Sequence, residues 1–193
     1  MIFDTKNFGK QVKILRKQQG LTLAKLADKI GRSVSLLSQI ENGNITPSFS
    51  TMQGIADALQ VSFTQIISEG RSSEEGDSFL IKALERKILV TSGGVLHQFL
   101  SRGVPTSFKL MIVEVPPGAS TGKTLYRHKG VECGFLLEGE LAVEINGQVH
   151  RLTPGDSITF RSTSPHKLSN SGQTKAVAVW VNSVPIRTTP QQP

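Results

Sequence analysis

The sequence predicts a two-domain α + β chain: a compact bundle of five short helices, then a β-sandwich or small barrel. Three observations carry this reading. Apolar residues recur at helical spacing as far as Ile67; the run Glu69 to Asp77 then holds no large apolar residue; and beyond it short strand-like runs alternate with Gly and Pro turns. The length of 193 residues, 37% hydrophobic, is enough for two small domains with proper cores. No run reaches the roughly 18 to 20 consecutive apolar residues of a membrane span. Met1 to Lys6 shows no basic region leading into an apolar one, as a secretory signal would. The single cysteine, Cys133, excludes an internal disulfide framework and a multi-cysteine zinc cluster. A soluble cytoplasmic protein without membrane contact is expected.

The helices follow in order. Phe8, Val12 and Leu15 form one apolar stripe along Phe8 to Gln19, ended by Gly20. Thr22 caps a second helix carrying Leu23, Leu26, Ala27 and Ile30, which Gly31 breaks. Ser33 caps a third, Val34 to Glu41, with Leu37 and Ile40 inward and Asn42-Gly43 as its stop. After Pro47-Ser48 a fourth stripe comprises Met52, Ile55, Ala56 and Leu59, and Ser62 opens a fifth with Phe63, Ile66 and Ile67. The first domain is placed at residues 1–68, a linker at 69–78, the β domain at 79–185 and a polar tail at 186–193.

Charge is unevenly spread. The net charge is +7, and Met1 to Arg32 holds eight Lys and Arg against two acids, whereas Arg71 onward holds fourteen against ten. A concentrated basic segment points to a polyanion-binding module, or else to a solvated basic face. The pair of helices within 22–41 has the dimensions of a helix-turn-helix, whose second helix enters the major groove. With Leu37 and Ile40 inward, Val34, Ser35, Ser38 and Gln39 face out. Gln39 suits a bidentate pair with adenine, the serines suit base edges or phosphates, and Val34 suits a thymine methyl. Arg32, Ser33, Asn42 and Asn44 sit at the helix ends, where phosphate contacts fall.

Leu15-Arg16, Leu21-Thr22, Leu26-Ala27, Ser38-Gln39-Ile40-Glu41-Asn42-Gly43, Pro47-Ser48, Ile55-Ala56-Asp57-Ala58-Leu59 and Val61-Ser62 form one ordered series. On these residues the stretch from Phe8 to Ile67 resembles the lambda-repressor-like, Xre-type (Cro/C1) helix-turn-helix domain. Leu23 stands where family members often carry a phosphate-contacting Gln.

The second domain is read as strands. Lys109 to Val115 ends at Pro116-Pro117-Gly118; Leu141 to Ile145 alternates; Asn146-Gly147 signals a type I′ hairpin, and Val149 to Leu152 returns. Pro154-Gly155-Asp156 turns into Ser157 to Phe160, followed by Lys167 to Asn170 and Ala176 to Val181. Phe135, Phe160 and Trp180 are assigned to the core, His97 to a structural role, and His150 to the face of Val143. Arg127 and Arg161 are read as solvated strand ends.

His128 is followed four residues later by Glu132, and His166 four residues later by Asn170. Here the chain resembles the cupin superfamily, small jelly-roll barrels (double-stranded β-helices) whose paired motifs build an internal metal site. Ser120, Tyr126, His128, Glu132 and Gly139 occupy the positions of the first motif; Gly155, Arg161, Thr163, His166 and Asn170 occupy those of the second. The resemblance covers Lys109 to Val181 and implies three of the four usual ligands, His128, Glu132 and His166, with Tyr126 in place of the remaining histidine. Two His and one carboxylate suit a divalent metal such as zinc, iron, nickel or manganese. Without metal the same residues would bind an organic effector or one another. A neutral phenol is a poor ligand, so Tyr126 coordinates as a phenolate or lines the pocket.

The combined resemblance implies a sequence-specific transcriptional regulator, a homodimer on a palindromic double-stranded DNA operator, tuned by a small-molecule effector in the barrel. A cupin dioxygenase or isomerase with an appended DNA-binding domain is the alternative. The lost fourth ligand and the fused helix-turn-helix count against it.

Overall fold

The computed structural model describes residues 4–61, 66, 80–101 and 108–183. Its first part holds α1 (Thr5–Gln18), α2 (Leu23–Lys29), α3 (Val34–Glu41) and α4 (Phe49–Ala58). Each begins where a short polar side chain captures a free amide. Asp4 accepts from Lys6 and Asn7, Thr22 from Lys25, Ser33 from Leu36 and Ser48 from Thr51. Phe8, Val12, Leu26, Leu37, Ile40, Met52, Ile55 and Leu59 make the buried core of this bundle. The expected fifth helix, the linker and the tail lie outside the described residues, apart from Ile66, which is buried.

One strut of the bundle was not expected. The Arg16 guanidinium grips Glu41 with two bonds, Nε to Oε1 at 2.6 Å and Nη2 to Oε2 at 2.8 Å, and its Nη1 donates to the Leu21 carbonyl at 2.7 Å. Both residues are buried, so α1 is pinned to the end of α3. Arg16 belongs to the interior and not to the basic DNA-facing surface in which its charge was first counted.

The second part consists of two sheets. The larger takes β1 (Ile88–Val90), β2 (Leu96–Phe99), β3 (Phe108–Val115), β4 (Val131–Glu138), β7 (Ser157–Arg161) and β9 (Ala176–Ser183), in the order β1-β2-β3-β9-β4-β7. The smaller pairs β5 (Leu141–Ile145) with β6 (Gln148–Leu152) and β8 (His166–Ser169), in the order β6-β5-β8. The Asn146-Gly147 turn has φ of 51° and 83°, the left-handed pair that a type I′ hairpin requires. It closes Ile145 on Gln148 and sets Val143 opposite His150.

β1 and β4 were not singled out in the sequence. In β4 the apolar residues face outward: Val131, Phe135 and Leu137 are each more than 40% exposed. Phe135 therefore does not belong to the core. The inward positions are Glu132, Gly134 and Leu136. Gly134 is required by close packing, since a Cβ there would stand 2.0 Å from Cζ3 of the Trp180 indole.

The two parts meet through α4. The Phe49 ring lies flat on His97 of β2, with centroids 4.5 Å apart and planes 6° from parallel. Lys109 Nζ of β3 donates to Gln53 Oε1 at 3.1 Å. Among the described residues no helix is long and apolar enough to cross a membrane.

Candidate functional site

The helix-turn-helix surface is built by α2, the Gly31 turn and α3. Leu37 and Ile40 are fully buried, which fixes the rotation of α3. Val34, Ser35 and Gln39 are then exposed and Ser38 half-buried on the opposite side. Arg32, Ser33, Asn42 and Asn44 are exposed at the two ends of the helix. Seven of the eight expected DNA-contacting residues are thus exposed and Ser38 is half-buried, and Ser33 also caps α3.

The second site lies inside the β domain. β4 presents Glu132, the start of β8 presents His166, and the segment ahead of β4 presents Tyr126 and His128. His128, Glu132 and His166 are 9%, 2% and 0% exposed, and a ligand atom of each lies within 4.8 Å of the others. The Nε2 atoms of His128 and His166 stand 2.8 Å and 2.9 Å from one carboxylate oxygen, Glu132 Oε1.

The outer atoms of these side chains are already committed. His128 Nδ1 bonds to the Lys129 carbonyl at 3.1 Å and His166 Nδ1 to the Ser164 carbonyl at 2.8 Å. A carbonyl only accepts, so each Nδ1 carries a proton, and in the neutral ring Nε2 is left as a bare lone pair. Trp180 Nε1 donates to the other carboxylate oxygen, Glu132 Oε2, at 2.6 Å. Three acceptors therefore face one another in a buried pocket, and none has a hydrogen bond of acceptable geometry despite the short contacts. A shared proton or a cation relieves such a cluster. Two ligands each about 2.1 Å from an ion are about 3 Å apart at right angles and about 3.4 Å apart at the tetrahedral angle, a little more than the two distances to Glu132 Oε1. The bonds from Nδ1 of both imidazoles to backbone carbonyls are those that orient metal-binding histidines. The residues present fit a divalent metal.

A proton held between the carboxylate and the imidazoles would take the place of such a cation. Burial opposes the Glu132 charge, but contact with the two imidazoles holds its carboxyl well below the usual range. Burial lowers the His128 imidazole, yet the Glu132 contact outweighs it and leaves the net shift upward. Burial and the nearby Glu132 charge push the Tyr126 phenol up.

Comparisons with known proteins match both parts. A family model described as "Helix-turn-helix" matches residues 12–66, and one described as "Cupin domain" matches residues 111–182. The HTH-type transcriptional regulator PuuR of Escherichia coli (strain K12) is 32% identical over 164 residues, covering 84% of this chain and 87% of PuuR. The chain belongs to the helix-turn-helix transcriptional regulators with a cupin domain.

A second relative in this family, the HTH-type transcriptional regulator SutR of the same organism, is 25% identical over 84% of the chain and 86% of SutR. The fold is shared with a solved HTH_3 family transcriptional regulator from Vibrio cholerae, at a TM-score of 0.72 and 24% identity, covering 95% of this chain and 98% of that one. The chain is accordingly a DNA-binding regulator of the helix-turn-helix class, with a cupin-like β-sandwich as its second domain. The curated relatives are named as regulators and not as enzymes.

Sequence reasoning missed two parts of the regulator's pocket. His97, read as merely structural, lines the same cavity as Tyr126 and Glu132. Asn182, opposite Glu132 in the β4–β9 register, was not noted at all. Inward alternation along β2 and β9 was the available signal, because His97 and Asn182 occupy positions that otherwise hold apolar core residues.

Proposed function

We propose that this regulator binds a palindromic operator as a homodimer and that a small molecule in the β-domain cavity sets its operator affinity. A divalent metal such as zinc, iron, nickel or manganese is held by His128, Glu132 and His166, of which Glu132 also lines the cavity. The observation that carries the reading is the buried trio of acceptors, His128 Nε2, His166 Nε2 and Glu132 Oε1, left without hydrogen bonds. Buried polar groups of this kind cost stability unless something satisfies them. A bound metal supplies a fixed positive charge and open coordination positions for a ligand. Tyr126 lines the site without coordinating.

On the DNA side, Gln39, Ser35, Ser38 and Val34 read bases, and Arg32, Ser33, Asn42 and Asn44 hold phosphates. One such helix reads only a few base pairs, so two copies on a two-fold operator are needed for useful specificity. The apolar outer face of the larger sheet supports the dimer. Ile112, Val179 and Phe135 run side by side across β3, β9 and β4, and Phe135 is 43% exposed. The two sheets are read as the layers of a jelly-roll barrel. Action on DNA implies a cytoplasmic protein.

Native mass spectrometry with metal analysis tests this. One divalent ion per chain in a dimer is expected, absent from Glu132→Ala and His166→Ala, both of which still bind DNA. Protein that takes up none of the four metals would overturn the metal site. Variants that lose DNA binding together with metal would overturn the division of labour between the domains.

A further inference from the structure

The β-domain cavity is not closed by β-domain residues alone. It is lined by His97, Tyr126, Glu132, Trp180 and Asn182, and also by Phe49 of α4. Its volume of about 10 Å3 is about enough for one water molecule, far short of the roughly 300–1,000 Å3 of ordinary small-molecule pockets. As it stands, the cavity has no room for a metabolite. Two of its lining residues carry buried atoms without a hydrogen-bond partner, His97 Nδ1 and Asn182 Oδ1. Both are atoms that an incoming ligand would satisfy.

The described contacts of the α4 wall are made by side chains. Phe49 contributes a flat stack on His97, and Gln53 contributes one neutral acceptor for Lys109. Neither is a backbone ladder, whereas the remaining walls come from paired strands and from Thr121 and Tyr126, whose backbone amides donate to the Leu168 and His166 carbonyls. A flat ligand can replace the stack on His97 with one of its own.

We propose that α4 is a removable wall of the cavity, and that the effector is a small molecule that takes the place of the Phe49 ring. Such a ligand has a flat apolar part to lie on His97 and an N–H or O–H group to donate to Asn182 Oδ1. This rests on the reading that the cavity is the effector site. The ligand and Phe49 occupy the same space, so the ligand binds only the undocked arrangement and shifts the molecule toward it. α4 is packed against α2 of the helix-turn-helix, so undocking carries the recognition surface with it and changes how two copies present their helices to DNA. Phe49 and Gln53 are positioning residues of the sensor as well as parts of the DNA-binding domain.

The chain's single tryptophan, Trp180, lines this cavity and reports its opening. Acrylamide quenching of Trp180 fluorescence is compared in the full chain for wild type, Phe49→Ala, Phe49→Leu and Gln53→Ala, without metal or effector. The quenching constant is expected to rise about five-fold in Phe49→Ala and less in Phe49→Leu and Gln53→Ala. Affinity for an operator selected from random DNA is expected to change at least about five-fold in Phe49→Ala, the low end of ordinary coupling between sites. Unchanged quenching in the folded variants would overturn the removable wall. Raised quenching with unchanged operator affinity would overturn its link to DNA. Neither readout involves metal, so failure here is distinct from loss of metal in Glu132→Ala.

Discussion

Replacing His97 by Gln should remove a defined part of the protein's acid sensitivity. Burial pushes the His97 imidazole down from 6.5 to about 4, although the Glu132 charge works in the opposite direction. In the unfolded chain the same group protonates near pH 6.5. Between those values the unfolded state binds the extra proton and the folded state does not, so stability falls as pH falls. The stability is whole above about pH 6.5, is lost progressively toward pH 4, and changes no further below that. A depression of about 2.5 pH units corresponds to about 3 kcal/mol, of which about 2 kcal/mol falls between pH 7 and pH 4.5. At 3% exposure His97 has no solvent to screen this effect. Urea denaturation of wild type and His97→Gln at the two pH values measures it directly. Glu132 and His128 titrate in both proteins, so the difference between the two slopes isolates His97. Equal slopes would mean that His97 is protonated without penalty and that its stack on Phe49 is not a contact of a neutral ring.

Three further outcomes are expected. Gln39→Ala should cost about 1–3 kcal/mol on the operator and almost nothing on random DNA, whereas Arg32→Ala should weaken both and flatten the salt dependence, as read by fluorescence anisotropy across a salt series. Glu41→Ala leaves the Arg16 guanidinium buried without its carboxylate and should cost about 3–5 kcal/mol in denaturant titration, while replacing both residues by apolar ones of similar volume should recover most of that loss. Trp180→Phe removes the N–H that holds Glu132 Oε2 and should weaken metal binding about 10–100-fold by calorimetry, with the fold retained.

The helical half was legible because its determinants are local. Thr22, Ser33 and Ser48 cap the helices from the residue before each start, and the spacing of Leu37 and Ile40 alone decides which side of α3 faces out. The Asn146-Gly147 hairpin was legible for the same reason, since its backbone angles are a property of two residues. The residues 128, 132 and 166 were visible as a motif, but their convergence on one carboxylate oxygen depends on strands brought together from distant parts of the chain. β4 escaped recognition because its outward positions are apolar and its inward ones include a carboxylate and a glycine. That inversion makes sense only once Trp180 fills the space above Gly134 and bonds Glu132. The Arg16–Glu41 strut and the Phe49–His97 stack follow the same rule. Their partners are 25 and 48 residues apart, and nothing in the local pattern of either residue marks the other. Caps, turns and helical faces were thus determined by the sequence alone, because neighbouring residues supply both sides of each interaction. Tertiary structure alone decided which polar groups were buried together and which helix closed the cavity, because those depend on where the packed core leaves room.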